Sequence, residues 1–271
     1  MSIKKGTKIH KPFHLSRVDR IVYGLLLILI VISIGGLLYF GRDYTNADKE
    51  YTTLQNDYVV ETSLDTKTHL RWNIDWASLY AVNPDIVAWV IIPDTQISYP
   101  VVQTTDNSTY LKRTFEGHKN SCGAIFMDSR NYADFSDKNT VIYGHNMRNG
   151  SMFHTLNSYG KEEFSKEHNE VWICTPLWQR KYTIISAHVT KDQSSTYDMN
   201  FGSDDLYEAH IVDEVSKSLY DTGNQYDTSL STVTLSTCHG LHSPNRMVLV
   251  CQPEFEILVG EDDLKGDEKE K

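Results

Sequence analysis

The chain has 271 residues and a formal charge of −10, from 26 basic and 36 acidic side chains. A hydrophobic content of 40% and a mean hydropathy of −0.41 exclude both a multi-spanning membrane protein and a wholly disordered chain. The acidic balance excludes nucleic acid as a partner, and four cysteines are too few for a disulfide scaffold.

The average hides a division. Residues 1–20 carry Lys4, Lys5, Lys8, Lys11, Arg17 and Arg20 against Asp19, a net +5. Residues 21–40, IVYGLLLILIVISIGGLLYF, carry no charge, and the rest of the chain is −15. Twenty apolar residues at 1.5 Å rise span about 30 Å, the bilayer core. A buried soluble helix is seldom apolar all round for so long. A cleaved signal peptide has a shorter apolar region and a small-residue cleavage site, and Gly35-Gly36 runs instead into Leu37-Leu38-Tyr39-Phe40. The segment reads as a retained single-pass signal anchor. Its basic flank stays in the cytoplasm and the acidic remainder faces outward.

Beyond the anchor, 46–83 reads as helical. Ala47, Tyr51, Leu54 and Tyr58 repeat on one helix face, and a second helix covers Ile74 to Val82 until Asn83-Pro84 stops it. Residues 41–70 form a helical or stalk-like lead-in. From Asp85 the pattern turns to short strands: 86–92, 97–102, 122–128, 140–145, 170–175, 180–189, 231–238 and 246–252. They are rich in β-branched and aromatic residues and bounded by Pro, Asn, Asp and Gly. Helical pieces interrupt them near 108–115, 151–168 and 203–220. Eight short strands predict a mainly β fold, a barrel or sandwich. The tail, 257–271, is acidic and solvated. The same holds for Asp204-Asp205.

Cys122, Cys174 and Cys251 lie in or beside apolar strands and read as small buried hydrophobes. No C-x-x-C pair is present, so neither a metal nor another cofactor is expected. Cys238 differs. It ends an apolar strand and opens the loop HGLHSPNR, where a side chain leaves the core on a fixed backbone. A nucleophilic thiol needs that access, a proton-transfer partner and a donor for the oxyanion. Arg246 opens the next strand and returns toward Cys238 if the two run antiparallel. It remains charged and serves as a clamp, not a base. Three histidines compete for proton transfer: His239 beside the cysteine, His242 in the loop, and His145 at another strand end. Spacing leaves them open.

The strings TVIYGHNM (140–147), TLSTC (234–238) and NRMVLV (245–250) resemble the sortase family's strand-end histidine, nucleophile motif and strand-start arginine. The stretches 83–111 and GAIFMDSRN (123–131) look like class B sortases. The resemblance covers about residues 70–256, with a catalytic domain at 71–256. It implies an eight-stranded sortase-type β-barrel with N-terminal helices and a helix-containing insert between strands 6 and 7. It also implies a cysteine transpeptidase of the Gram-positive cell surface. Such an enzyme cleaves a C-terminal sorting signal after threonine and joins it to an amine acceptor on a peptidoglycan precursor or a pilin. Class B signals are of NPQTN or (S/P)PxTG type. By resemblance, Cys238 is the nucleophile, His145 the proton-transfer group and Arg246 the substrate and oxyanion clamp. Ser236, Thr237, Asn107, Leu111, Thr190 and Tyr197 are the implied peptide contacts. Where many class B members have an acid after the nucleophile, this chain has His239. A peptidase that only hydrolyses and a non-catalytic binding module are the alternatives. The local signature of papain-like enzymes is absent.

Overall fold

The structure is a computed structural model that describes residues 16–62, 70–238 and 244–260. The chain divides into two units, parted between Asp43 and Tyr44. In the first, helix α1 (Arg17–Tyr58) begins, with Ser16 accepting from the Asp19 backbone N–H as its cap. Its stretch Arg17–Gly36 is long and apolar enough to cross a membrane, and none of it is buried.

In the second unit the last turns of α1 dock on the barrel. Ala47, Tyr51 and Leu54 are buried, as the helical spacing predicts. The helix stops at Tyr58, and the predicted helical reading is corrected at 59–62 and 70–75. Val59–Glu61 (β1) pairs antiparallel with Trp72–Ile74 (β2), and helix α2 covers Trp76–Val82. β-branched Val59 and Val60 and aromatic Trp72 favour extended backbone. Asp75 caps α2 by accepting from Ser78 N at 3.0 Å. Residues 63–69 lie outside the described residues.

Eight strands then close a barrel: β3 (Ile86–Ile91), β4 (Ser98–Val102), β5 (Ile125–Met127), β6 (Asn139–Gly144), β7 (Glu170–Cys174), β8 (Trp178–Lys191), β9 (Thr232–Cys238) and β10 (Asn245–Leu258). Around the barrel the order is β10-β8-β7-β3-β4-β5-β6-β9. Each matches one predicted strand. The pairings β4–β5 and β6–β9 are parallel and the rest antiparallel. The residues 108–115 hold only a 3₁₀ turn, Thr109–Leu111. The predicted helix at 151–168 divides into a 3₁₀ stretch at His154–Gly160 and α3 (Glu162–Glu167).

Alternation along the strands sorts the side chains. Val233 and Leu235 of β9 and Ile142 of β6 enter the main core, while Val141, Val248 and Tyr197 cluster on the outer face. The insert between β8 and β9 covers that face. It carries α4 (Asp204–Ser216), capped by Ser203 and begun by Asp204 and Asp205, whose charges suit a helix N-terminus. Buried Glu214 of α4 accepts from Thr196 Oγ1 at 3.0 Å and from Lys217 Nζ at 2.6 Å. This ties the 3₁₀ turn Ser195–Tyr197 to α4.

Tyr51 links the docked helix to the loops. Its hydroxyl donates to Gly123 O at 2.8 Å and accepts from Phe115 N at 3.2 Å. Burial pushes its ionisation far above the ordinary tyrosine range, so it stays a donor. Tyr51→Phe leaves Phe115 N without this partner, and is expected to cost about 1–3 kcal/mol in urea denaturation. An unchanged midpoint would contradict that role.

Candidate active site

The site lies where strand ends meet. Parallel pairing of β6 with β9 sets Tyr143 opposite Ser236 and Gly144 opposite Thr237. One step further along each chain come His145 and Cys238. Antiparallel pairing of β9 with β10 sets Arg246 opposite Cys238, and β10 with β8 sets Arg246 opposite Thr190. His145, Cys238, Arg246 and Thr190 thus occupy one row across four neighbouring strands. Strand spacing is about 4.8 Å, so His145 and Arg246 backbones flank Cys238 at roughly one strand each. Of Cys238 the structure describes the backbone. His239 and His242 lie outside the described residues.

A groove of about 270 Å³ opens along the outer face beside this row. It is lined by Asn107, Leu111, Phe126, Tyr143, Gly144, His145, Asp192, Tyr197, Ser236, Thr237 and Arg246. The sequence reading placed Asn107, Leu111, His145, Tyr197, Ser236, Thr237 and Arg246 here. Thr190 holds its register position opposite Arg246 and is not among the lining residues. Phe126, Tyr143, Gly144 and Asp192 were not anticipated. The two-residue period from His145 back to Tyr143 was the available signal for Tyr143.

His145 Nε2 lies 2.8 Å from Leu111 O. A carbonyl only accepts, so Nε2 carries the proton and Nδ1 is the nitrogen left for proton transfer. The Leu111 carbonyl is itself fixed by the 3₁₀ turn. Asp106 accepts from Ser108 N at 2.6 Å, Thr109 N at 2.7 Å and both hydroxyls, which hold its carboxyl well below the ordinary range. Gly123 packs beneath the imidazole at φ 61°. A Cβ there would run into Tyr110 O and stand 3.1 Å from His145 Cδ2, so only glycine fits.

Arg246 keeps a quarter of its side chain exposed and lies 3.9 Å from Asp192. Tyr197 Oη and Ser236 Oγ share a hydrogen bond of 2.9 Å across the groove, and the Tyr197 and Tyr143 rings are 6.0 Å apart. Thr237 Oγ1 is buried and finds no partner among the described residues. An unmade buried hydrogen bond is costly, so this hydroxyl is available to a ligand.

The other three cysteines are buried, and burial pushes the Cys174 and Cys251 thiols far up. Neither supplies a thiolate at neutral pH. Among the described residues, Glu50, Glu116 and His118 have donor atoms close enough for a metal, but Glu116 and His118 are exposed. Glu50 already accepts from Glu116 N and faces His118 Nδ1.

A closed barrel that brings a cysteine, a histidine and an arginine to adjoining strand ends has the groups that cysteine acyl transfer needs. The sequence profile of the sortase domain matches residues 90–254. Sortase B of Listeria monocytogenes is 34% identical over 160 residues, which span 59% of this chain and 65% of that relative. Sortase B of Staphylococcus aureus is 28% identical over 233 residues, 84% of this chain and 93% of that one. Among solved structures, sortase B from Bacillus anthracis in complex with AAEK1 superposes with a TM-score of 0.68 at 31% identity. It covers 78% of this chain and 98% of its own. The Staphylococcus aureus sortase B–substrate complex gives 0.63 at 29%, over 68% and 85%. The chain belongs to the sortase family of cysteine transpeptidases, and to its class B type.

Gly123→Ala forces either the Tyr110–Leu111 carbonyls or the imidazole to move. It is expected to lower stability by about 1–3 kcal/mol and peptide cleavage at least about tenfold. Unfolding curves and initial rates together check this; wild-type values in both would refute the packing argument.

Proposed function

We propose that this chain is a membrane-anchored transpeptidase that cuts a C-terminal sorting signal after threonine and passes the surface protein to a cell-wall amine. The row His145–Cys238–Arg246 beside the groove is the observation that carries this reading. The Cys238 thiol passes its proton to His145 Nδ1, and the resulting thiolate attacks the threonine carbonyl. Arg246 stabilises the oxyanion that forms, a task suited to a fixed, always-charged fork. Collapse expels the leaving amine, which takes the proton from His145 Nδ1 and leaves a thioester on Cys238. An incoming amine attacks that thioester, His145 Nδ1 takes its proton, and the Cys238 thiolate departs. The acyl group's energy is held in the thioester throughout, so no ATP is needed.

Asn107, Leu111, Tyr197, Ser236 and Thr237 bind the peptide in this scheme, with Thr237 Oγ1 gaining its missing partner. Thr190 buttresses Arg246 from the next strand. Residues 71–256 form the catalytic domain, 21–40 the anchor and 41–70 the lead-in. The +5 flank at 1–20 holds the N-terminus in the cytoplasm, so the barrel works at the outer surface. The partners are the sorting-signal peptide of secreted surface proteins and an amine on a peptidoglycan precursor or a pilin. No cofactor enters the scheme.

Cys238→Ala is expected to abolish cleavage of NPQTN or (S/P)PxTG peptides. His145→Ala should cost about 10²–10⁴-fold and Arg246→Lys about 10²–10³-fold. Mass spectrometry of the products with added amines checks the transfer. Undiminished turnover by Cys238→Ala would sink the assignment, and hydrolysis product alone across all amines would mark a peptidase.

A further inference from the structure

Asp128 follows β5 and its carboxylate is fully buried. A buried charge is costly unless it is paired and hydrogen-bonded. Arg130 supplies the pairing as a fork, with Nε 3.0 Å from Oδ1 and Nη2 2.9 Å from Oδ2. The Arg130 backbone N–H donates to Oδ1 at 3.0 Å as well. Burial pushes the carboxyl up, but the Arg130 bonds outweigh it and hold the group below its ordinary value. It is therefore ionised at neutral pH.

Two groove residues bear on this carboxylate. Tyr143 Oη donates to Oδ2 at 3.0 Å. The Asn107 side chain lies close enough to help lower the carboxyl's ionisation, and its Oδ1 accepts from Ser129 N, the next residue, at 2.7 Å. Asn107 comes from a loop and Tyr143 from β6. Asp128 itself is not part of the groove lining. Gln103 Nε2 bonds to Asp128 O at 2.9 Å and Asn131 O at 2.8 Å, which holds this backbone independently of the carboxylate.

We infer that Asp128 is a positioning residue for peptide binding, whose carboxylate fixes Asn107 and Tyr143 on the wall of the groove. This rests on reading the groove as the sorting-peptide site. Fixing both side chains before the peptide arrives removes an ordering cost from binding. Every partner of the carboxylate is a donor, so an amide in its place turns its own donors toward donors. Asp128→Asn keeps the shape and loses that match. The effect falls on peptide affinity and not on the chemical step, since none of the bonds touches His145 or Arg246.

The test uses the full chain in detergent micelles, with quenched NPQTN and (S/P)PxTG peptides as probes. Asp128→Asn is expected to raise KM about tenfold, with kcat within about twofold. The rate at which iodoacetamide alkylates Cys238 stays unchanged. Tyr143→Phe removes one of the bonds, keeps the ring, and is expected to raise KM about two- to fivefold. Combining the two should raise KM by less than the product of the separate effects. An unchanged KM in either variant, multiplicative effects, or a parallel fall in kcat and alkylation would overturn the proposal. The Asn107 side-chain amide gives a readout that needs no turnover: its hydrogen exchange should quicken in Asp128→Asn. Unaltered exchange would overturn the proposal even if neither peptide is cleaved, whereas failure of cleavage by the unaltered enzyme counts only against the functional reading.

Discussion

The parallel pairing of β6 with β9 inside a closed barrel is the constraint on which the site depends. Parallel neighbours end at the same rim, so the residues that follow Gly144 and Thr237 are brought side by side. An antiparallel pairing would place them at opposite ends. Because the barrel is closed, β9 also has β10 on its other side, and the antiparallel register there delivers Arg246. Three residues from separate strands are thus positioned by backbone hydrogen bonds alone. A rigid strand end aims a side chain better than a free loop does.

The loops refine what the strands place. The His145 tautomer is set by one carbonyl, that of Leu111. The turn bearing that carbonyl is held by Asp106 on one side and crowded by Gly123 on the other. Gly123 is held in turn by Tyr51 from the docked part of α1. The docked part of α1 therefore reaches His145 through two intermediates. On the outer face, Glu214 ties the Ser195–Tyr197 turn to α4, and Tyr197 meets Ser236 across the groove.

The eight strands were legible in the sequence because they are short, β-branched and cleanly bounded, as in TVIYGH and TLSTC, while the choice of barrel over sandwich came with the family resemblance. The cysteine–histidine–arginine row was legible only through the family resemblance. Spacing could not choose among three histidines, because strand order is a non-local property. The β1–β2 pair was missed for the same reason: Val59 finds Ile74 across fifteen residues, and no local period announces that. Tyr143 and Asp128 were overlooked in quoted motifs, since the hydrogen bond that joins them links β6 to the residue after β5, fifteen positions away. The −10 charge divides into a basic flank and an acidic remainder, and does not describe the chemistry.

A structure of the protein trapped with a threonine-derived electrophilic peptide tests the shared strand-end row most directly. A bond from Cys238 Sγ to the threonine carbon is expected, with Arg246 at hydrogen-bond distance from the carbonyl oxygen and His145 Nδ1 facing the departing group. A peptide bound away from β6–β9, or an adduct on another cysteine, would contradict it.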